Sequence, residues 1–209
     1  MSHLVLLGDS IFDNERYVPD GPSVTDHLRR MLPGDWQVTL LAVDGAAAED
    51  VPGQLGKLPK DATHLVVSAG GNNALEYGSV ILHEAAESYI EVLTRLTEMR
   101  EEFRQTYRHM LRKLREHGLP LTVCTIYDTV PHLHPAESAG LGLFNEVILK
   151  EAFRLALPLI DLRLTCSEDS DYSTLSPIEP SATGGAKIAR GICRVLLPEV
   201  TPSGSRVYL

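Results

Sequence analysis

Short apolar runs alternate along this chain with stretches in which apolar residues recur every three or four positions. The first run, Leu4 to Leu7, predicts a strand over about His3 to Leu7. A helix is predicted near Ser23 to Met31, stopped by Pro33-Gly34, followed by a Val- and Leu-rich strand from Gln37 to Val43. A short helix over roughly Ala48 to Leu55 leads to a third strand, His64 to Ser68, and Gly70-Gly71-Asn72-Asn73 reads as the turn that ends it. Ala86, Ile90, Leu93, Leu96, Phe103, Tyr107, Met110 and Leu114 keep a 3.6-residue period, predicting a long helix from about Glu84 to His117. Gly118 and Pro120 close it. A fourth strand is predicted at Leu121 to Ile126, then a loop from Asp128 to Glu137, a helix from about Leu143 to Ala156, and a fifth strand at Leu159 to Leu162. The last helix starts near Thr183 and ends before Pro198.

Strands alternating with helices imply a parallel sheet covered on both faces. Right-handed crossovers then give one domain over residues 1–209, an α/β three-layer αβα sandwich of about five parallel strands with flavodoxin-like layering. Ligands in such sheets bind beyond the carboxyl ends of the strands. Every unusual polar cluster falls at such an end: Asp9-Ser10, Asp44-Gly45, Gly70 to Asn73, Asp128 to His134, and the loop from Cys166 to Ser181.

Composition narrows the function classes. A net charge of −9 argues against nucleic acid or an anionic membrane as partner. No apolar stretch has membrane-spanning length, and the N-terminal apolar run is consumed by the first strand, so a cytoplasmic protein is expected. Cys124, Cys166 and Cys193 lack metal-ligand spacing; Cys124 and Cys193 read as buried, inert thiols, and Cys166 is the one candidate for reactivity. Neither a metal nor a cofactor is expected, and oligomeric state is not encoded in any pattern found.

Ser10, between a strand and a helix, is placed either as an exposed nucleophile or as a simple helix cap. Gly45 and Asn72, after the second and third strands, suit an oxyanion site as backbone and amide donors, or serve only as turn residues. His132 and His134, spaced i, i+2 on the loop after the fourth strand, would face the same way if that loop is extended. They offer an accessory imidazole, or with Asp128 an incomplete metal site, or an exposed loop pair. His83, Glu84 and Glu87 rim the same end or simply begin a solvated helix, and the charges from Glu98 to Glu116 read as a wet helix face.

Gly8-Asp9-Ser10-Ile11 resembles the first block of the SGNH, or GDSL, hydrolases. Gly45 matches their second-block glycine, and Gly70-Gly71-Asn72-Asn73 is similar to their third block, Gly-x-Asn-Asp. Ile178-Glu179-Pro180-Ser181, with Gly184-Gly185 and the helix through Ile188-Ala189, resembles their last block, Asp-x-x-His-Pro-Ser. The resemblance implies a serine acyl-enzyme acting on an ester, thioester or acetyl group of a small soluble substrate. It implies Ser10 as nucleophile, and the Ser10 N–H, Gly45 N–H and Asn72 as oxyanion donors.

Four positions depart from the pattern. Ser176 stands where the family has its triad aspartate and Glu179 where it has histidine; Asn73 replaces an aspartate and Ala48 a glycine. A glutamate has a reference pKa near 4.3, roughly two units below histidine, and so accepts a serine proton about 3 kcal/mol less readily. Burial narrows that gap. Glu179 is therefore read either as an atypical base beside Ser10, with Asp9, Asn73, His132, His134 and Ser176 as candidate accessories, or as a structural carboxylate in a retired hydrolase that binds an acyl or sugar ligand. A receiver or flavin-binding reading is disfavoured, because Ser68 stands where a phospho-accepting aspartate belongs and Asp13-Asn14-Glu15 is acidic where a phosphate loop belongs.

Overall fold

The computed structural model describes residues 1–81 and 85–197. Strand β1 (Ser2–Gly8) is followed by α1 (Val24–Met31), β2 (Trp36–Leu40), α2 (Val51–Gln54), β3 (His64–Ser68) and α3 (Gly71–Ile81). Then come α4 (Tyr89–Arg115), β4 (Leu121–Cys124), α5 (Pro135–Arg154), β5 (Leu159–Ile160), α6 (Leu162–Thr165) and α7 (Ala182–Leu196). The sheet has five strands in the order β2-β1-β3-β4-β5, every pair parallel. The order reverses between β1 and β3, which opens a crevice at their carboxyl ends.

The two-residue period of β1 builds both layers. Val5 and Leu7 point into one core with Val67, Phe103, Tyr107 and Ile148; Leu4 and Leu6 point into the other with Leu28, Ile160, Ile188 and Ile192. Leu4, Val5, Leu6 and Leu7 are all 0% exposed, each contributing about 1.5–3 kcal/mol by burial. Helices α4 and α5 thus cover one face, and α1 and α7 the other. At the end of β1, Gly8 has φ +121, and a Cβ there would lie 1.7 Å from the Ser68 carbonyl oxygen. Only glycine permits this close approach of β1 to β3. Gln54 locks the same peptide, accepting from Gly8 N–H at 2.9 Å and donating to Gly8 C=O at 2.7 Å.

Several predicted boundaries are corrected. The residues read as a turn after β3 open a helix, α3, whose Ala74 N–H bonds Gly70 C=O at 3.0 Å. The long helix starts at Tyr89, capped by the Ser88 hydroxyl, so Glu87 precedes it and is exposed; His83 and Glu84 lie outside the described residues. Helix α5 begins at Pro135 rather than near Leu143, because proline suits the first helical position and His134 caps it. Strand β2 stops at Leu40, where the N–H groups of Leu41 and Ala42 both turn to Leu6 C=O, and β4 and β5 are shorter than predicted. Among the described residues no helix is long and apolar enough to cross a membrane.

Candidate active site

The loop after β1 carries Asp9 and Ser10 into the crevice, and both are buried. The Asp9 carboxylate accepts from Ile11 N–H at 3.1 Å, and the Asp9 carbonyl takes the N–H groups of Phe12 and Asp13, both at 3.1 Å. These contacts fold the loop into a tight turn. They leave the Ser10 N–H without a hydrogen-bond partner among the described residues. The Gly45 N–H is likewise unpartnered there, on an exposed turn after β2. Asn72, in the first turn of α3, donates one amide hydrogen to Ala46 C=O at 2.9 Å, which fixes its plane against that turn and leaves a second N–H. Ser10, Gly45 and Asn72 therefore sit on three neighbouring strand-end loops, with uncommitted donors at each.

Asn73 and Ala48, two of the departures from the family pattern, meet one another. The Asn73 side chain accepts from Ala48 N–H at 2.9 Å and donates to the Glu49 carboxylate at 2.8 Å. Asn73 thus holds the Gly45 loop to α3.

Glu179 comes to the same crevice from the loop before α7. Tyr127 orients it, donating to Ile178 C=O at 2.5 Å while stacking edge-on against Tyr172. Asn14 ties the loop from the other side, donating to Pro180 C=O at 3.1 Å and accepting from Val24 N–H at 3.0 Å. Behind it, Gly184 passes so close to the Asp171 carbonyl that a Cβ would lie 2.1 Å from that oxygen. Glu179 is buried, and its Oε2 has no hydrogen-bond partner. Burial, with the nearby Asp44 charge, pushes its carboxyl above the usual range; the hydroxyls of Ser176 and Ser10 and the Arg16 charge pull it back. Ser176 and Ser10 thus both lie near enough to Glu179 to stabilise its charged form.

Burial likewise raises Asp9, to about 7, with further contributions from Asp44 and Glu179. Asp9, Asp44 and Glu179 thus lie close enough for their charges to oppose one another. The exposed Arg16 ion-pairs with Asp44, and Tyr17 donates to Asp44 at 2.9 Å. Asn14, Tyr17, Gln54 and Tyr127 were not singled out from the sequence as site residues, for each is an ordinary polar or aromatic side chain whose partner lies far along the chain.

The loop histidines do not join the site. His132 has φ 64, so the loop is kinked there and the pair does not share a face. Both are exposed, and the residue that turns inward is Leu133 between them. His134 Nδ1 accepts from Ala136 N–H at 3.2 Å as the cap of α5. Cys166 is buried with its thiol pushed up to about 12, which makes it unreactive; Cys124 is buried, and Cys193 only half-buried. Among the described residues no three His, Cys, Asp or Glu are grouped to hold a metal ion.

Beside Ser10 opens a cleft of about 700 Å³ between α3, α4 and α5. A second hollow, of about 480 Å³, lies at the opposite end of the strands around His64, Arg115 and Leu121, away from every group described above.

Structural comparison gives the same architecture in several solved proteins. The lipase Lip_vut3 from a goat rumen metagenome aligns at 17% identity and TM-score 0.73, covering 92% of this chain and 96% of its own. The acetyl xylan esterase AlAXEase aligns at 16% and TM-score 0.70, covering 93% and 100%. An extracellular lipase from Streptomyces rimosus aligns at 18% and TM-score 0.64, covering 92% and 98%. At these identities the likeness concerns the fold. No curated protein sequence matches. The profile of the GDSL-like Lipase/Acylhydrolase family matches residues 6–187, nearly the whole chain from the Gly8 block through Gly184-Gly185, and the protein belongs to that family.

Proposed function

We propose that the protein is a serine-dependent hydrolase of an ester, thioester or acetyl bond in a small-molecule substrate, working without a cofactor and with Glu179 as its base. The observation that carries this reading is the pairing of Ser10 with a buried carboxylate that has an unpartnered oxygen, on a rim where the Ser10 and Gly45 N–H groups and one Asn72 N–H are uncommitted.

In this mechanism the Ser10 hydroxyl oxygen bonds to the substrate carbonyl carbon while its proton passes to Glu179. The carbonyl oxygen becomes an oxyanion and accepts from Ser10 N–H, Gly45 N–H and Asn72; each such donor is worth about 3 kcal/mol of barrier where it has been measured. Collapse breaks the bond to the leaving group, which departs with the proton from Glu179. Water then gives a proton to Glu179 and its oxygen to the acyl carbon. The acyl–Ser10 bond breaks, and Ser10 takes the proton back. In this reading Ser176, where the family pattern has its aspartate, steadies the charged form of Glu179.

A fluorophosphonate probe tests the reading. Mass spectrometry is expected to find the label on Ser10, with none on Ser10→Ala. Failure of the wild type to label anywhere from about pH 5 to about pH 9, the working range of such bases, overturns it.

A second reading is favoured by the exposure of His132 and His134, which leaves the crevice without an imidazole from that loop. It makes the protein a binder of acyl or sugar ligands on a hydrolase scaffold. Ligand binding that survives Ser10→Ala, with no turnover by the wild type, distinguishes it.

A further inference from the structure

The cleft that opens at Ser10 is polar only near the proposed reaction centre and at its rim. Asp9, Ser10, Ser68 and Asn72 occupy one end. Beyond them the walls are Leu96, Met99, Leu133, Leu143 and Phe144, with Ile126 beside the entrance. The floor is rigid: Phe144 packs on Phe103 with ring centroids 4.7 Å apart and on Tyr77 at 6.0 Å, and Tyr77 is pinned by its hydroxyl to Glu102 at 2.8 Å.

What keeps the cleft open is the choice of small residues on its two facing helices. Gly78 on α3 and Gly140 on α5 both line it, and an added Cβ at either meets nothing within 4 Å. Ala74, Ala136 and Ala139 line the same walls. Glycine inside a helix is unfavourable relative to alanine, so neither position is explained by helix stability.

We infer that this cleft holds the acyl chain of the substrate, and that the enzyme selects a medium-length alkyl acyl group over acetyl. The inference rests on the reading of Ser10 as nucleophile, which fixes the acyl carbon at the polar end and directs the rest of the acyl group along the apolar walls. A sugar or other polyhydroxyl group in that position would lose water without gaining partners. An acetyl group would leave the walls uncovered. An alkyl chain gains by burial, by about three- to fourfold in affinity per methylene.

Two measurements separate this inference from the hydrolase reading. Binding of acetate, octanoate and dodecanoate to the wild type and to Ser10→Ala is followed by calorimetry, and kcat/KM is measured for the matching p-nitrophenyl esters. Affinity is expected to climb from acetate to octanoate in both proteins, and kcat/KM to climb in parallel for the wild type. Gly140→Phe, which fills the open space with a better helix former, is expected to lower the octanoyl-to-acetyl ratio at least tenfold in both measurements, with an unchanged circular dichroism spectrum. Chain-length-dependent binding without turnover upholds the acyl cleft and removes the hydrolase. Turnover of acetyl esters with no gain from added methylenes, or a ratio unmoved by Gly140→Phe, overturns the acyl cleft and leaves the hydrolase reading standing.

Discussion

Asn14 joins the loop that carries Ser10 to the loop that carries Glu179, its amide donating to Pro180 C=O at 3.1 Å while its oxygen accepts from Val24 N–H at 3.0 Å. The side chain is fully buried, so neither partner can turn to water when it is removed. Each orphaned group then costs about 1–3 kcal/mol. Asn14→Ala is expected to lower the urea unfolding free energy by about 2–4 kcal/mol and to reduce esterase activity in protein that is still folded. An unfolding curve superimposable on the wild type would show that the two loops are held by other means.

Glu179→Gln keeps the shape of the side chain and removes its basicity. Positioned general bases contribute about 10²–10⁴-fold, and a loss in kcat of that order is expected, with little change in KM. The paired change Glu179→His with Ser176→Asp places an imidazole and its orienting carboxylate where the family pattern has them. It is expected to raise esterase activity by orders of magnitude over the wild type, measured on the same ester.

Asp9 predicts a pH dependence of stability whose sign is opposite to that of a salt-bridged aspartate. Its pKa is raised by burial from 3.8 to about 7, so the folded protein holds a proton across that window that the unfolded chain has released. Stability therefore falls as the pH rises through the window, by at most about 4 kcal/mol, and is level above it. Asp9→Asn keeps the acceptor for Ile11 N–H without the charge. It is expected to melt higher than the wild type at about pH 8, the advantage vanishing near pH 4, as followed by thermal unfolding.

The same group shapes the rate profile. Glu179 must be ionised to accept the Ser10 proton, which sets an acid limb above its ordinary range. Ionisation of Asp9 adds a negative charge beside a developing oxyanion, which sets an alkaline limb near 7. A bell-shaped profile of kcat/KM is expected, and Asp9→Asn is expected to lose only the alkaline limb.

The strands, and the crevice at their carboxyl ends where the candidate residues gather, were legible because both follow from local patterns. Leu4 to Leu7 alternate between two cores, and a polar cluster ends every strand at the same side of the sheet. The errors lay where one residue type serves two ends of a helix. Gly70-Gly71-Asn72-Asn73 has turn composition, yet Asn72 and Asn73 bond across to Ala46 and Ala48, freeing the backbone to start α3. Pro135 looked like a loop residue and is the first residue of α5. Asn14, Gln54 and Tyr127 were illegible for a different reason: their partners Pro180, Gly8 and Ile178 lie 166, 46 and 51 positions away, and no local pattern records such pairings.

The Nδ1 lone pair of His134 is already committed to a backbone N–H at the start of α5, so this imidazole cannot be borrowed for proton shuttling without fraying a 20-residue helix. Any attempt to give this scaffold a histidine engine has to install the ring in the segment ahead of the final helix, whose backbone Tyr127 and Asn14 already hold in place.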